Sequence, residues 1–153
     1  MTSTQAGITP TGPVLFAYDG SELAALAIAR AAGELAAGRH ALVVCVWQPV
    51  DVGFIPTSPR HFDADRAPDV RHAAEETAAH GAALAEKAGF RSQAKAVEAA
   101  PTWQGIIQTA AQEQASLIVL GARRRTGLLG HLLGSVASAV VAHGSASVLV
   151  VHE

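Results

Sequence analysis

Residues 117–136 read LIVLGARRRTGLLGHLLGSV, and this stretch decides the fold. It opens with four apolar residues, 117–120, which are typical of a short strand buried on both faces. Gly121 ends that strand, and a loop rich in glycine and arginine follows. Ser135 then opens a segment with the apolar spacing of a helix. A glycine-rich loop between a strand and a helix start favours anion binding, because backbone N–H groups and the helix dipole point toward the loop.

The same stretch resembles the signature loop of the universal stress proteins. In nucleotide-binding members this loop has a glycine, two residues, a glycine, nine residues, a glycine, and then serine or threonine. Gly121, Gly134 and Ser135 stand in register with that pattern, whereas Arg124 occupies the place of the second glycine. The resemblance extends over residues 14–151 and implies a cytoplasmic stress-response module.

The composition is that of one packed α/β domain. The chain has 153 residues, of which 50% are hydrophobic and 16% charged, which argues for a substantial core and against disorder. A net charge of −2 supplies no basic field for nucleic acid or an anionic membrane. The N-terminal residues lack the pattern of a signal peptide, and no apolar run approaches the ~18–20 residues of a membrane helix. We therefore expect a cytoplasmic protein without nucleic-acid or membrane partners.

Strands and helices alternate along the chain. Apolar runs predict buried strands at 14–18, 41–47, 117–120 and 147–151, and an alternating run predicts an edge strand at 91–98. Helices are expected to begin after an N-cap at Ser21, at Pro68 or Asp69, after an N-cap at Thr102, and at Ser135. The second helix is expected to bury Val70, Ala73, Ala74, Thr77, Gly81, Leu84 and Ala88. The third is expected to bury Trp103, Ile106, Ile107, Ala110 and Ala111.

Three further features of the chain are expected from its pattern. Residues 1–12 form a flexible tail ahead of a domain spanning 13–153. Residues 48–68 hold four prolines and form a long loop, either a lid or contact surface or a plain connector. The single cysteine, Cys45, lies within an apolar strand and is expected to be a buried, inert thiol.

Five strands that alternate with helices call for a parallel sheet with helices on both faces. In the family that the sequence resembles, which is Rossmann-like and related to the adenine-nucleotide α-hydrolases, the strand order is 3-2-1-4-5. The connections of such a sheet reverse direction between the first and fourth strands, and ligands bind beyond the carboxyl ends of those strands. Two loops meet at this point, 19–21 and the glycine-rich 121–134. We expect them to form one site.

The resemblance implies a role for individual residues of this site. The residues expected to border the adenine and the ribose are Ala17, Tyr18, Asp19 and Val46. Those expected along the phosphates are Leu120, Gly121, Gly134, Ser135 and Val136. The implied ligand is ATP or a related adenine nucleotide, with or without Mg²⁺. In the alternative interpretation, Asp19 only caps the first helix, and Gly134 with Ser135 forms only a turn and a helix start.

Three consecutive arginines, 123–125, concentrate positive charge in the glycine-rich loop. Guanidinium groups bind phosphate in bidentate fashion, which makes Arg123 and Arg124 candidate ligands of an anion. Arg124 is also a candidate obstruction, because a glycine in its place would let the backbone approach the phosphates. A third interpretation is a solvated loop. If Arg124 obstructs the site, the chain is a dimeric interaction protein that has lost nucleotide binding.

The motifs of several enzyme classes are missing from the sequence. There is no G-x-x-x-x-G-K-[ST], no G-x-S-x-G, and no G-x-G-x-x-G after a strand. The seven histidines are scattered without the spacing of metal ligands, so no metal site is expected. Asp19 is the one candidate general base. The sequence therefore predicts no enzyme, and weak ATP hydrolysis is the one activity left open.

The last strand suggests how the chain associates. Residues 147–152 are apolar and terminal, and as an edge strand they would expose unpaired backbone groups. Antiparallel pairing of two copies would give a two-fold homodimer, which is also what the resemblance implies. The sequence does not indicate which other protein, if any, is a partner.

Overall fold

The structure, a computed structural model, describes residues 12–48, 67–123, 125–127 and 130–153. At its centre is a five-stranded sheet whose neighbouring strands are all parallel. In chain order its strands are β1 (Val14–Ala17), β2 (His40–Trp47), β3 (Arg91–Glu98), β4 (Leu117–Gly121) and β7 (Ser147–Val151). Their spatial order is β3-β2-β1-β4-β7, which confirms the predicted order 3-2-1-4-5, since β7 is the fifth strand of this sheet.

Helices cover both faces of the sheet, as predicted. They are α1 (Glu22–Glu34), α2 (Ala67–Lys87), α3 (Thr102–Gln112) and α4 (Ser135–His143). Successive residues of a strand face opposite sides of a sheet. Val14 and Phe16 of β1 accordingly lie in the core under α1 and α2, whereas Leu15 lies in the core under α3 and α4. The continuous apolar run of β1 is therefore explained by burial on both faces.

The glycine-rich stretch contains a hairpin that the sequence did not predict. Its strands, β5 (Arg125–Gly127) and β6 (Gly130–Leu132), pair antiparallel apart from the main sheet. Each strand has only three residues, which is too short to show the apolar alternation that identifies a strand.

Of the two N-caps predicted from side chains, one is confirmed and one is wrong. Ser21 is the N-cap of α1, because its Oγ accepts a hydrogen bond of 3.1 Å from the backbone N–H of Ala24. Thr102 is not the N-cap of α3. It is the first helical residue, Pro101 precedes it in the cap position, and among the described residues no side chain caps this helix.

The predicted helix faces are partly wrong. The residues of α2 that are buried are Ala74, Ala78, Gly81 and Ala85, whereas Ala73 is exposed. In α3, Ala111 is exposed and Thr109 is buried instead. In α2, alanine occurs on several sides of the helix, so the contrast between an inner and an outer face is weak. In α3, the apolar face is mostly as predicted, and the errors are confined to Thr109 and Ala111.

Several predictions about loops fall partly outside the described residues. Of the expected tail, residues 1–11 are outside them, and the carbonyl of Gly12 accepts a hydrogen bond of 2.9 Å from Ser116 Oγ. Of the expected loop 48–68, residues 49–66 are outside them, and α2 already begins at Ala67. None of the described helices is long and apolar enough to cross a membrane.

Cys45 is buried, as predicted. Its side chain belongs to a small apolar cluster with Trp47 of β2 and with Ala74 and Ala78 of α2. Burial raises the pKa of the Cys45 thiol, and the negative charge of Asp19 raises it further.

Candidate functional site

A cleft of about 400 Å³ opens at the carboxyl ends of β1 and β4. These strands are neighbours, yet β1 leads into α1 on one face of the sheet and the chain after β4 leads into α4 on the other. Their connections therefore diverge and leave a crevice between them, as expected at the point where an α/β sheet reverses its winding. The volume lies within the range of roughly 300–1,000 Å³ that is usual for small-molecule sites.

The first wall of the cleft comes from β1 and the turn that follows it. Ala17, Tyr18 and Asp19 all line the cleft. The carboxylate of Asp19 accepts a hydrogen bond of 2.9 Å from the backbone N–H of Ser21 through Oδ1, which fixes the turn into α1. Among the described residues its second oxygen, Oδ2, has no hydrogen-bond partner. Asp19 thus organises the turn and still presents a free, exposed oxygen at the cleft.

Tyr18 contributes its backbone to the cleft, because its side chain points to the opposite face of the sheet. The ring lies in the core with α1 and α2, and the phenol oxygen is hydrogen-bonded to His80 Nδ1 at 2.8 Å. A β-carbon at Gly81 would lie 2.6 Å from this ring, so α2 can approach Tyr18 only with glycine there. Burial raises the pKa of the phenol, and the charge of Asp19 adds to the shift.

The second wall is the end of β2, where the strand extends beyond β1. The pairing of the two strands closes with a hydrogen bond of 2.9 Å from the Tyr18 amide to the Val44 carbonyl. Residues two apart in a strand present their backbone groups in the same direction. The amide and carbonyl of Val46 therefore point into the space that β1 has left, beside the apolar side chains of the cleft.

The third wall is the end of β4 together with the start of α4. Leu120 and Gly121 line the cleft from β4, and Gly134, Ser135 and Val136 line it from α4. The N-cap residue of α4 is Gly134, so among the described residues no side-chain cap occupies the first amides of this helix. These amides carry the positive end of the helix dipole, to which an anion is attracted.

Of the two arginines predicted to bind an anion, the structure describes only Arg123. Arg123 is exposed and lines the cleft, as do Gly134 and Ser135 at the start of α4. Arg124 lies outside the described residues. Arg123 therefore adds a positive charge to the lining of the cleft.

Further lining residues were not among the individual site residues predicted from the sequence, although Ser21 and Ala122 lie in the two loops expected to form the site. They are Ser21, Leu23, Ala24, Val44, Thr102, Ile106, Ala122 and Ala137. Two of them, Thr102 and Ile106, belong to α3, which follows β3. Since the carboxyl ends of all parallel strands lie at one edge of a sheet, the first turn of the helix after β3 could have been expected near the site.

The ten predicted site residues within the described ranges all line this one cleft, and the eleventh is Arg124. Their roles in binding remain predictions. Throughout 12–48, 67–123, 125–127 and 130–153, no group of three or more His, Cys, Asp or Glu side chains is arranged to hold a metal ion.

Solved structures with the same fold include three that cover almost the whole chain. The hypothetical protein MJ0577 has a TM-score of 0.73 at 21% identity, with 95% of this chain and 98% of that chain covered. A universal stress protein in complex with cAMP has a TM-score of 0.61 at 21% identity, covering 94% and 98%. The universal stress protein from Archaeoglobus fulgidus in complex with dAMP has a TM-score of 0.58 at 20% identity, covering 93% and 98%. At these identities the likeness shows the fold.

Sequence comparison gives the family. No curated protein matches the chain by sequence. The model of the universal stress protein family matches residues 11–152, which is nearly the entire chain. This protein therefore belongs to the universal stress protein family.

Proposed function

We propose that this protein is a stress-response module that binds ATP, or a related adenine nucleotide, in the cleft between β1 and β4 without efficient turnover. The observation that carries the proposal is the chemical difference between the two ends of the cleft. One end, at β2 and α3, is mainly apolar, and the other, at the start of α4, is rich in hydrogen-bond donors and positive charge. A nucleotide has the same division, with a flat base at one end and phosphates at the other.

The apolar end suits the base. Val44, Val46 and Ile106 line it, and their side chains would remove the faces of the base from water. The outward-facing amide and carbonyl of Val46 lie next to these side chains. They provide one donor and one acceptor, which a base edge with a ring nitrogen and an amino group can satisfy.

The other end suits phosphate groups. The uncapped amides at Gly134 to Val136 and the hydroxyl of Ser135 are donors, and Arg123 adds a guanidinium group. Charge-assisted hydrogen bonds of this type are about twice as strong as neutral ones. Mg²⁺ would bind only together with the phosphates of the nucleotide.

Asp19 lies between the two ends, where a ribose would sit. Its free carboxylate oxygen can accept hydrogen bonds from the ribose hydroxyls, while its other oxygen holds the turn. A base for hydrolysis would have to hold an attacking water in line with the terminal phosphate. A carboxylate committed to the turn and the ribose leaves turnover weak or absent, and we propose binding as the function.

The relatives support the ligand class. Universal stress proteins of the same fold have been solved in complex with cAMP and with dAMP, both of which carry an adenine base. The proposal extends this class to the present chain and places the protein in the cytoplasm, as expected from its sequence.

Calorimetric titration with ATP, with and without Mg²⁺, tests the proposal directly. We expect a saturable heat, and no heat at a protein concentration of about 100 µM would eliminate nucleotide binding as the function, since this corresponds to a binding free energy weaker than about −5.5 kcal/mol. Titrations with adenosine and with tripolyphosphate serve as matched controls. Each should bind more weakly than ATP, because each occupies only one end of the cleft.

A second candidate function follows from Arg124, which stands where nucleotide-binding relatives have glycine. In this alternative the chain acts through protein contacts as a homodimer paired through residues 147–152. The substitution Arg124→Gly separates the alternatives. It should raise the affinity for ATP if the side chain obstructs the phosphates, and lower it if the guanidinium group binds them.

A further inference from the structure

The base end of the cleft contains one polar side chain within the part of the chain that the structure describes. Of the four residues that line this end from β2 and α3, Val44, Val46 and Ile106 are apolar, and the fourth is Thr102. A single hydroxyl among aliphatic side chains is the one group there through which a side chain can form a hydrogen bond with a ligand.

The hydroxyl of Thr102 is not used by the helix on which it lies. Thr102 is the first residue of α3, Pro101 occupies the cap position, and no side chain forms a capping hydrogen bond. Among the described residues, Thr102 Oγ1 has no hydrogen-bond partner, and the residue is half-buried at the wall of the cleft. A threonine in the N-cap position would satisfy a backbone N–H of the helix, but Thr102 lies one residue later, so its hydroxyl is available to a ligand.

The position of α3 is fixed by close packing against β2. A β-carbon at Gly105 would lie 2.8 Å from the β-carbon of Ala99 and 3.0 Å from Val46 Cγ1. Glycine at this position lets the first turn of α3 approach the end of β2. Thr102, in the same turn, therefore lies on a helix start that is packed against β2, and it lines the cleft together with Val46.

The direction of a bound nucleotide follows from the two ends of the cleft. The ribose is attached to the five-membered ring of a purine, and the phosphates extend from the ribose toward the start of α4. The six-membered ring, with its amino group and ring nitrogens, therefore points toward β2 and α3. This edge would therefore face the end of the cleft that Thr102 lines.

We propose that Thr102 forms a hydrogen bond with the six-membered-ring edge of the bound base and is a specificity-determining residue of the cleft. The inference rests on the proposed nucleotide binding and adds the side chain that distinguishes a polar base edge from an apolar one of the same shape. A hydroxyl both donates and accepts, so it can pair with a ring nitrogen or with an amino group.

The test compares two ligands and three variants by calorimetric titration. The ligands are ATP and benzimidazole riboside triphosphate, which keeps the fused rings but lacks the amino group and the nitrogens of the six-membered ring. Thr102→Val removes the hydroxyl at nearly constant shape, Thr102→Ser keeps it, and Ser135→Ala alters the phosphate end. We expect Thr102→Val to weaken ATP binding about three- to tenfold and benzimidazole riboside triphosphate binding less than about twofold.

The two controls separate hydrogen bonding from packing. Thr102→Ser should bind ATP within about twofold of the native protein, and Ser135→Ala should weaken both ligands by the same factor. Equal weakening of both ligands by Thr102→Val would overturn the proposal, since it would show a packing role. Unchanged ATP binding by Thr102→Val would overturn it while leaving nucleotide binding intact, whereas a native protein that binds neither ligand would overturn both.

Discussion

Leu23 lies so close to Gly121 that a β-carbon at position 121 would stand 2.7 Å from Leu23 Cγ and 3.0 Å from the Leu23 carbonyl oxygen. Leu23 belongs to the first turn of α1, and Gly121 is the last residue of β4. The contact therefore sets the distance between the first and third walls of the cleft. Gly121 is required by packing, quite apart from any ligand.

The substitution Gly121→Ala should destabilise the protein by about 1–3 kcal/mol, because the added methyl group meets backbone and buried side-chain atoms that cannot move freely. Urea denaturation measures this loss. Gly33→Ala is a matched control within α1, since nothing lies within 4 Å of a β-carbon there, and it should stabilise the helix by up to about 1 kcal/mol. Equal stability of Gly121→Ala and the native protein would contradict the packing role.

Gly134 offers the opposite case. Its φ of −57° is open to any residue, and nothing lies within 4 Å of a β-carbon placed on it. Gly134→Ala should therefore cost less than about 1 kcal/mol of stability, mostly through the helix start. It should nevertheless weaken ATP binding about tenfold, because the methyl group would stand where phosphate oxygens approach the amides. Unchanged affinity in the calorimeter would show that the phosphates lie elsewhere.

The hydrogen bond between Tyr18 and His80 joins the end of β1 to α2. Tyr18→Phe removes it and should lower the free energy of unfolding by about 1 kcal/mol, since the buried ring remains and the exposed His80 can bond to water. A double-mutant cycle with His80→Ala isolates the pair. Strictly additive losses in that cycle would show that the two side chains do not stabilise each other.

The thiol of Cys45 should be unreactive in the folded protein. Burial, followed by the charge of Asp19, raises its pKa, so the folded state favours the protonated form. This stabilisation is fully present below the pKa of the unfolded thiol and is lost as the pH rises toward the pKa of the folded one. Alkylation by iodoacetamide near pH 8 should be at least about tenfold slower in native protein than in urea. Comparable rates would place the thiol at the surface.

The predicted homodimer can be tested on the outer edge of β7. The carbonyl of Val151 accepts a hydrogen bond from the Ala122 amide, so the backbone groups of Val151 point toward β4. The backbone groups of successive residues in a strand point alternately to its two sides. The amide of Val148 therefore faces away from β4. Val148→Pro should leave the sheet pairing in place and abolish antiparallel pairing of two copies. Sedimentation velocity at micromolar concentration should then show a monomer for the variant and a dimer for the native chain; a monomeric native chain would contradict the prediction.

The parallel sheet between helices could be predicted from the sequence because it depends on strong signals, whereas the strand order, and with it the position of the cleft, was implied by the resemblance to the universal stress proteins. Runs such as Val14 to Ala17 and Leu117 to Leu120 are apolar on both faces, which only a parallel sheet between helices explains. Asp19 and Gly134 follow strands that such a winding brings together. These features depend on the average chemistry of whole segments.

The remaining features depend on single contacts that no pattern reveals. The inner face of α2 is hard to predict because alanine surrounds the helix, and burial there is decided by where Tyr18 meets Gly81. The pattern around Thr102 predicts a cap because threonine is common in that position. Its actual place, at the wall of the cleft, follows from the close approach of Gly105 to β2, which only the packed structure shows.

The first and third walls of the cleft come from opposite ends of the chain, one from the turn after the first strand and one from the start of the last helix. A molecule lying across them would act as a brace, and its release would let either half open first. Occupancy of the cleft would then determine how fast cellular proteases degrade the protein. Above the dissociation constant, each tenfold increase in ligand concentration would raise the free energy of opening by about 1.4 kcal/mol. A higher concentration of nucleotide would in this way lengthen the lifetime of the protein.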